Sequence, residues 1–325
     1  MSGDDHESVG REFEYRVANL NVDKSGGQRK PHKPLLLLYA IGRLVRFGQR
    51  ELPFDQVEHA LMPLLGLYAP PVKAQHHPEY PYWHLQTDGL WEIPSANSLE
   101  RGVKGFPLMP AFRRSSAGIP ERYAHALLAD PALTRRVVDR ILEEHFEPSL
   151  HEDVLAAVGL DRGVLEPVSD RTQPDRVAEG EVETVGRLRR STTFRDEVLT
   201  AYDRRCALTG FQAMISGTLF GVEAAHVHWH SKGGPSTVAN GIALNPTLHK
   251  LLDHGAWSLT DDRCVLVSRE FTGSDAALDL LRPLHGRRLR DPVPGCAPVA
   301  VEFIRWHREP ELGGIFRWPP LSAPS

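Results

Sequence analysis

The segment EAAHVHWHSKGGPSTVANGIALNPTLHKLLDHG, from Glu223 to Gly255, constrains this chain more than any other stretch. The stretch from Val222 to Val227 predicts a short strand that delivers His226. A Gly-Gly-Pro loop and Asn240 follow, and GIAL then predicts a second strand. A helix is expected beyond Asn245-Pro246, because a proline in the first helical turn gives up no hydrogen bond. His249 and Asp253 stand four residues apart on that helix and therefore share one face. Strand, loop, strand and helix together carry His226, Asn240, His249 and Asp253 toward one point.

Such a set has the parts that hydrolysis of a phosphodiester needs. These are a water, a base to take its proton, and a cation to neutralise charge building on the phosphate and the leaving oxygen. An imidazole titrates near the working pH and can serve as the base. A second imidazole with a carboxylate can hold a divalent ion and leave positions open for water and phosphate. An asparagine can pin the loop or the base without adding charge. The chain has 16 histidines, and any one of them alone is an ordinary surface or core residue. The ordered spacing is what carries weight.

This segment resembles the HNH, or ββα-metal, nuclease motif, and most of all its McrA-related subgroup, with domain-level similarity over about 195–310. The resemblance implies that His226 is the general base and that Asn240 positions it. It makes His249 a metal ligand and gives Asp253 the second metal position on the helix. The implied cofactor is a divalent ion, Mg or Mn, with Co, Ni or Zn as further candidates. One departure stands out. The family often places Asp or His directly before the base, and here that position is Ala225. The ion would then have fewer protein ligands, or His230 or His254 would complete the set. A second departure is Thr209 in Cys206-Ala-Leu-Thr-Gly, where relatives carry the second cysteine of a zinc knuckle, so no structural zinc is expected.

The chain has 325 residues, which predicts two domains at about 100–200 residues each. At 41% hydrophobic it can bury real cores. Between Glu166 and Glu183, six acidic residues and two arginines sit with Pro167 and Pro174 and almost nothing to bury. That composition predicts a solvated linker. The expected division is a DNA-reading domain over 1–165, a linker over 166–186 and a nuclease domain over 187–325, the whole of α+β class. In the first half, helices are expected over 34–47, about 53–65 and 119–159, the last broken at Pro131 and Pro148. The Pro-, Tyr-, Trp- and His-rich stretch 68–94 predicts turns and short strands. In the second half, RSTTFRDEVLTAYDRRC predicts a helix with Ser191 or Thr192 near its N-cap.

The formal net charge is −4, which by itself does not favour nucleic acid. Local clustering does. Residues 24–50 hold seven Lys or Arg, and residues 101–122 hold Arg101, Lys104, Arg113, Arg114 and Arg122 against one Glu. Basic loops and helix starts suit a DNA backbone. RKPHKPLLLL (29–38) and HPEYPYWHLQTDGLWEI (77–93) are similar to the sulfur-binding domain of ScoMcrA-like restriction endonucleases, which recognise phosphorothioated DNA. The resemblance implies a sulfur pocket at Tyr80 and Pro81 with His84 on its wall, and cationic contacts from Arg29, His32 and Lys33. Arg113 and Arg114, on the 101–118 loop, would touch backbone or bases. Sulfur is larger and less strongly hydrated than oxygen, so apolar walls favour it. Tyr82 and Trp83 are expected in the core.

The expected partner is duplex DNA carrying phosphorothioate, bound by a homodimer because cutting two strands needs two centres. A reader of methylated DNA and a non-catalytic DNA-binding protein with a degenerate HNH fold are the alternatives. Three scattered cysteines, a polar N-terminus and an apolar run far below the roughly 18 residues that span a bilayer favour a cytoplasmic protein without membrane association.

Overall fold

The structure is a computed structural model and describes residues 3–22, 30–70, 75–103, 105–160, 194–215 and 218–322. Arg29, the expected linker at 166–186 and the expected cap at Ser191 or Thr192 lie outside the described residues. The chain divides into two compact units, and their described parts fall within 3–160 and 194–322.

Unit 1 is mostly helical. Its elements are α1 (Gly3–Ala18), α2 (His32–Phe47), β1 (Glu51–Pro53), α3 (Phe54–Tyr68), α4 (Glu79–His84), α5 (Met109–Phe112), β2 (Ser116–Gly118), α6 (Glu121–Ala129), α7 (Pro131–His145) and α8 (His151–Val158). Helix α2 organises the unit. Leu35, Leu36, Leu37, Leu38, Ile41 and Leu44 are all closed to solvent. A helix that is apolar on every side must be surrounded, and α2 touches α3, α4, α6, α7 and α8. A Cβ at Gly42 would sit 2.2 Å from the carbonyl oxygen of Val158, so α2 and α8 meet backbone to backbone. Gly48 ends α2 at φ 65°, and its N–H returns to the carbonyls of Arg43 and Leu44. The short strands β1 and β2 pair antiparallel, Glu51 opposite Gly118. Pro131 opens α7 and Asp130 caps it, accepting from the N–H of Ala132.

The expectation of turns and strands over 68–94 needs correcting. The chain winds into α4 and a 3-10 turn over Leu85–Asp88, and the extended pairing here is one isolated bridge, Glu92 to Gly118. Aromatic residues lean toward strand, but Tyr82 and Leu85, three apart, are both fully buried. Helical spacing is what puts both against the core, and burial overrides propensity.

Unit 2 begins with helix α9 over 194–201. The antiparallel pairs β3 (Ala213–Ile215) with β4 (Thr218–Phe220) and β5 (Glu223–His226) with β6 (Gly241–Leu244) follow. Then come α10 (Pro246–Asp253), the pair β7 (Trp257–Leu259) with β8 (Val265–Val267), α11 (Asp275–Leu281) and α12 (Val301–Arg308). Phe194, Val198, Ala225, Ile242, Leu244, Leu248, Leu252, Trp257 and Ile304 share one core. Among the described residues no helix is long and apolar enough to cross a membrane.

Candidate functional site

Strand β5 ends on His226, whose register partner is Gly241 at the start of β6. Asn245 caps α10, its side chain accepting from the N–H of Leu248 at 2.9 Å. The helix therefore starts one residue after β6 and packs against β5. This ββα arrangement brings the imidazoles of His226 and His249 within electrostatic reach of each other and of Asp253.

His226 stacks flat on Phe194, ring centroids 3.9 Å apart and planes 6° apart, and its Nε2 lies 3.3 Å from the Ser236 hydroxyl. Burial, with the nearby His230 adding to it, lowers its pKa to about 4, so the ring is neutral at pH 7. A neutral ring can accept a proton. The ring of His230 lies 5.7 Å away, and its Nδ1 is 3.5 Å from the same Ser236 hydroxyl.

Asn240 is fully buried. Its Oδ1 accepts from the N–H of His228, and its Nδ2 donates to the carbonyls of His228 and Pro235, all at 2.8–2.9 Å. It thus clamps both ends of the Gly-rich loop, and its hydrogen bonds go to backbone rather than to the imidazole of His226. His228 itself turns away, stacking on Trp306 at 4.0 Å.

On α10, His249 Nε2 lies 3.2 Å from Asp253 Oδ2, and the Trp229 indole N–H donates to Asp253 Oδ1 at 2.8 Å. His249 Nδ1 meets Glu223 Oε2 at 2.8 Å. Burial opposes charging of His249, but the carboxylates of Asp253 and Glu223 outweigh it and push its pKa up to about 10. The ring therefore carries a proton between two carboxylates. Glu223, Ser236 and Trp229 are additions that spacing alone did not single out. Glu223 opens the EAAH strand, but only the pairing of β5 with β6 sets it beside the helix.

Among the described residues no group of three or more His, Cys, Asp or Glu is arranged to hold an ion. Two donors do fit one. Neighbouring ligands at about 2.1 Å from an octahedral ion lie about 3 Å from each other, and His249 Nε2 and Asp253 Oδ2 are 3.2 Å apart. Cations such as Mg usually take one or two carboxylates and fill the other positions with water and phosphate oxygens. Imidazole nitrogen and carboxylate oxygen suit such an ion once the proton leaves His249.

In unit 1 the expected pocket residues separate into a surface group and a supporting group. Tyr80 is 50% exposed, and its ring contacts His84, Phe106 and His77 at centroid distances of 6.4, 5.2 and 5.4 Å. His84 is exposed, with its pKa lowered by partial desolvation and then by Lys33. Pro81, next to Tyr80 on α4, is buried. Tyr82 is in the core, bonded to Ser115, whereas Trp83 is half-buried with the Arg101 guanidinium 5.3 Å over its ring. Lys33 is held at 2.6 Å by Asp88, with side-chain exposures of 12% and 6%. His32 faces His76, ring centroids 5.6 Å apart. Arg113 pairs with Asp55 and Glu58 at 2.9 and 3.1 Å. Arg114 is exposed and makes no side-chain ion pair with the described residues.

Comparison with known proteins assigns both units. Residues 10–163 match the ScoMcrA-like DNA sulfur-binding domain family, and residues 206–260 match an HNH endonuclease family. No curated protein matches the chain. Among solved structures, the sulfur-binding domain of ScoMcrA complexed with phosphorothioated DNA is 25% identical over 47% of this chain and 98% of its own, with a TM-score of 0.42. The corresponding domain of SprMcrA, also complexed with phosphorothioated DNA, is 22% identical over 46% of this chain and 94% of its own, with a TM-score of 0.38. The type IV phosphorothioation-dependent restriction endonuclease ScoMcrA is 16% identical over 74% of this chain and 94% of its own, with a TM-score of 0.34. HNH endonuclease domains act with a divalent metal ion. The chain therefore joins a ScoMcrA-like DNA sulfur-binding domain, in unit 1, to an HNH endonuclease domain, in unit 2.

Proposed function

We propose that the chain is a modification-dependent restriction endonuclease, which docks on phosphorothioated duplex DNA through unit 1 and hydrolyses phosphodiester bonds nearby through unit 2. The observation that carries this reading is the presence of both family matches on one chain. A sulfur-binding domain supplies the address that an HNH module lacks, since contacts to phosphate position a protein without specifying sequence.

At the cutting centre, a divalent ion on His249 and Asp253, Mg or Mn in the first instance, neutralises charge on the phosphate and the leaving 3′ oxygen when bound. The chain's own residues do the rest. His226 takes the proton of the attacking water. Its low proton affinity in the free protein rises when an anionic phosphate comes near, because an opposite charge favours the imidazolium. Phe194 fixes the plane of the ring, and Asn240 fixes the loop that carries Ser236 and His230.

At the reading face, Tyr80, His84 and Phe106 supply soft, weakly hydrated walls where a sulfur fits better than an oxygen. Pro81 is buried next to Tyr80 on the same helix. Among the described residues, Arg101 and Arg114 are cations open to phosphate, while Lys33 acts through its field on His84. One such pocket discriminates by about 1–3 kcal/mol. Cutting both strands calls for two chains on one duplex, so the DNA-bound form is a homodimer, and the cytoplasm is where such an enzyme meets its DNA.

The test uses the full chain with matched duplexes that carry one backbone sulfur, a methylated cytosine or neither. Tighter gel-shift binding of the sulfur duplex, and cleavage with Mg or Mn that disappears in His226→Ala, is the expected result. Equal affinity for all three duplexes would remove the targeting. Undiminished cutting by His226→Ala would remove the assigned chemistry.

A further inference from the structure

We infer that Glu223 is a positioning residue for the metal: it holds the Nδ1 side of His249 so that Nε2 is presented to the ion beside Asp253. The inference rests on the reading of His249 and Asp253 as ion ligands and deepens it.

The geometry has three parts. First, His249 meets a carboxylate at each ring nitrogen, Glu223 Oε2 at 2.8 Å on Nδ1 and Asp253 Oδ2 at 3.2 Å on Nε2. A histidine that ligates through one nitrogen needs its other N–H bonded, because that bond fixes both tautomer and ring plane. Glu223 sits where that bond is required. Second, side chains alternate along a strand, so Glu223 projects from β5 on the same side as Ala225. Ala225 is closed to solvent, stands directly before His226 and brings no donor atom. The carboxylate lies one strand period earlier. The acidic group on this side of the site therefore meets the histidine. Third, the Glu223 side chain is 46% exposed while that of His249 is 13% exposed. The protein core does not need the glutamate. Solvent screens the glutamate half of the pair, and His249 keeps Asp253 on its other nitrogen when Glu223 is removed, so a purely structural role predicts only a small loss of stability.

The test measures binding of Mn²⁺ alone to the full chain by electron paramagnetic resonance, with thermal unfolding in parallel. Losing such an outer partner costs about 10–100-fold in metal affinity. Glu223→Ala should therefore weaken Mn²⁺ binding by that factor with nearly unchanged Tm. Glu223→Gln, which keeps an acceptor for Nδ1–H, should recover part of the loss. Mn²⁺ affinity in Glu223→Ala equal to wild type, while His249→Ala loses binding, would overturn the inference and leave the metal site standing. Loss in Glu223→Ala with no recovery in Glu223→Gln would also overturn it, assigning the defect to the strand. Absence of saturable Mn²⁺ binding in the wild type would overturn the metal assignment and this inference with it.

Discussion

At the scale of single residues, buried polar groups divide sharply into those that hold the loop and those that hold the fold. Asn240 satisfies one N–H and two carbonyls of a loop whose regular structure is limited to two short 3-10 turns. Removing one partner of a buried hydrogen bond costs about 1–3 kcal/mol. Asn240→Ala should lower the stability of unit 2 by at least that much, measured by denaturant unfolding, and should abolish cleavage by releasing the loop around His226. His307 tests the fold alone. It is fully buried, bonded to Ser258 at 2.8 Å and to the Leu252 carbonyl at 3.1 Å, and burial lowers its pKa to about 4. The unfolded chain, titrating near 6.5, binds the proton more readily. His307 therefore contributes fully above about pH 6.5, and its contribution falls as pH drops toward 4, by about 3 kcal/mol in all. Thermal unfolding from pH 7 to pH 4.5 should show this acid loss, and His307→Gln should flatten it. The paired and unpaired cations of unit 1 should also separate. Lys33→Ala strands a nearly buried Asp88 and should lower Tm. Arg114→Ala should leave Tm alone, weaken DNA binding and reduce its salt slope by about one.

At the scale of elements, the candidate cutting centre depends on how closely α9 approaches the β5–β6 pair. A Cβ at Gly241 would lie 2.3 Å from Val198 Cγ2 and 3.2 Å from the Phe194 ring. Gly241 is also the register partner of His226, which stacks on that ring. Only glycine permits the contact. Gly241→Ala should cost about 1–3 kcal/mol by overpacking and displace Phe194, so that cleavage falls while unit 2 stays folded. Circular dichroism with a cleavage assay on the same sample checks it. The element boundaries follow local chemistry where a cap exists. Asn245-Pro246 starts α10 and Asp130-Pro131 starts α7 through the same pairing of cap and proline. Where no such signal exists, tertiary burial decides, and α4 is the case in point.

At the scale of the whole molecule, the sulfur-binding and endonuclease domains lie in separate units, and on the proposed function their defects should be separable. Tyr80→Ala should weaken binding to the sulfur-bearing duplex by about 1–3 kcal/mol and leave unchanged the Mn²⁺ affinity of the full chain. His226→Ala should do the opposite to function, binding as wild type without cutting. A Tyr80→Ala protein that binds both duplexes as wild type does would show that the aromatic cluster on α4 is not the reading face.

The ordered His, Asn, His and Asp between Glu223 and Gly255 was legible in the sequence because strand and helix periods are local properties, set by spacing and by the cap at Asn245. The same holds for the helix expected over 34–47, although its burial on every side emerged only from the structure. Which partner each side chain meets was not legible. That Asn240 bonds the backbone of His228, that Lys33 is held by Asp88, and that Glu223 reaches His249 all depend on segments 12, 55 and 26 residues apart being folded together. Sequence determined the elements that a local cap or an unbroken period marks, and the kinds of chemical group they carry. Tertiary structure decided which groups touch, because hydrogen bonds and ion pairs act over about 3 Å, a distance fixed by packing and by nothing local.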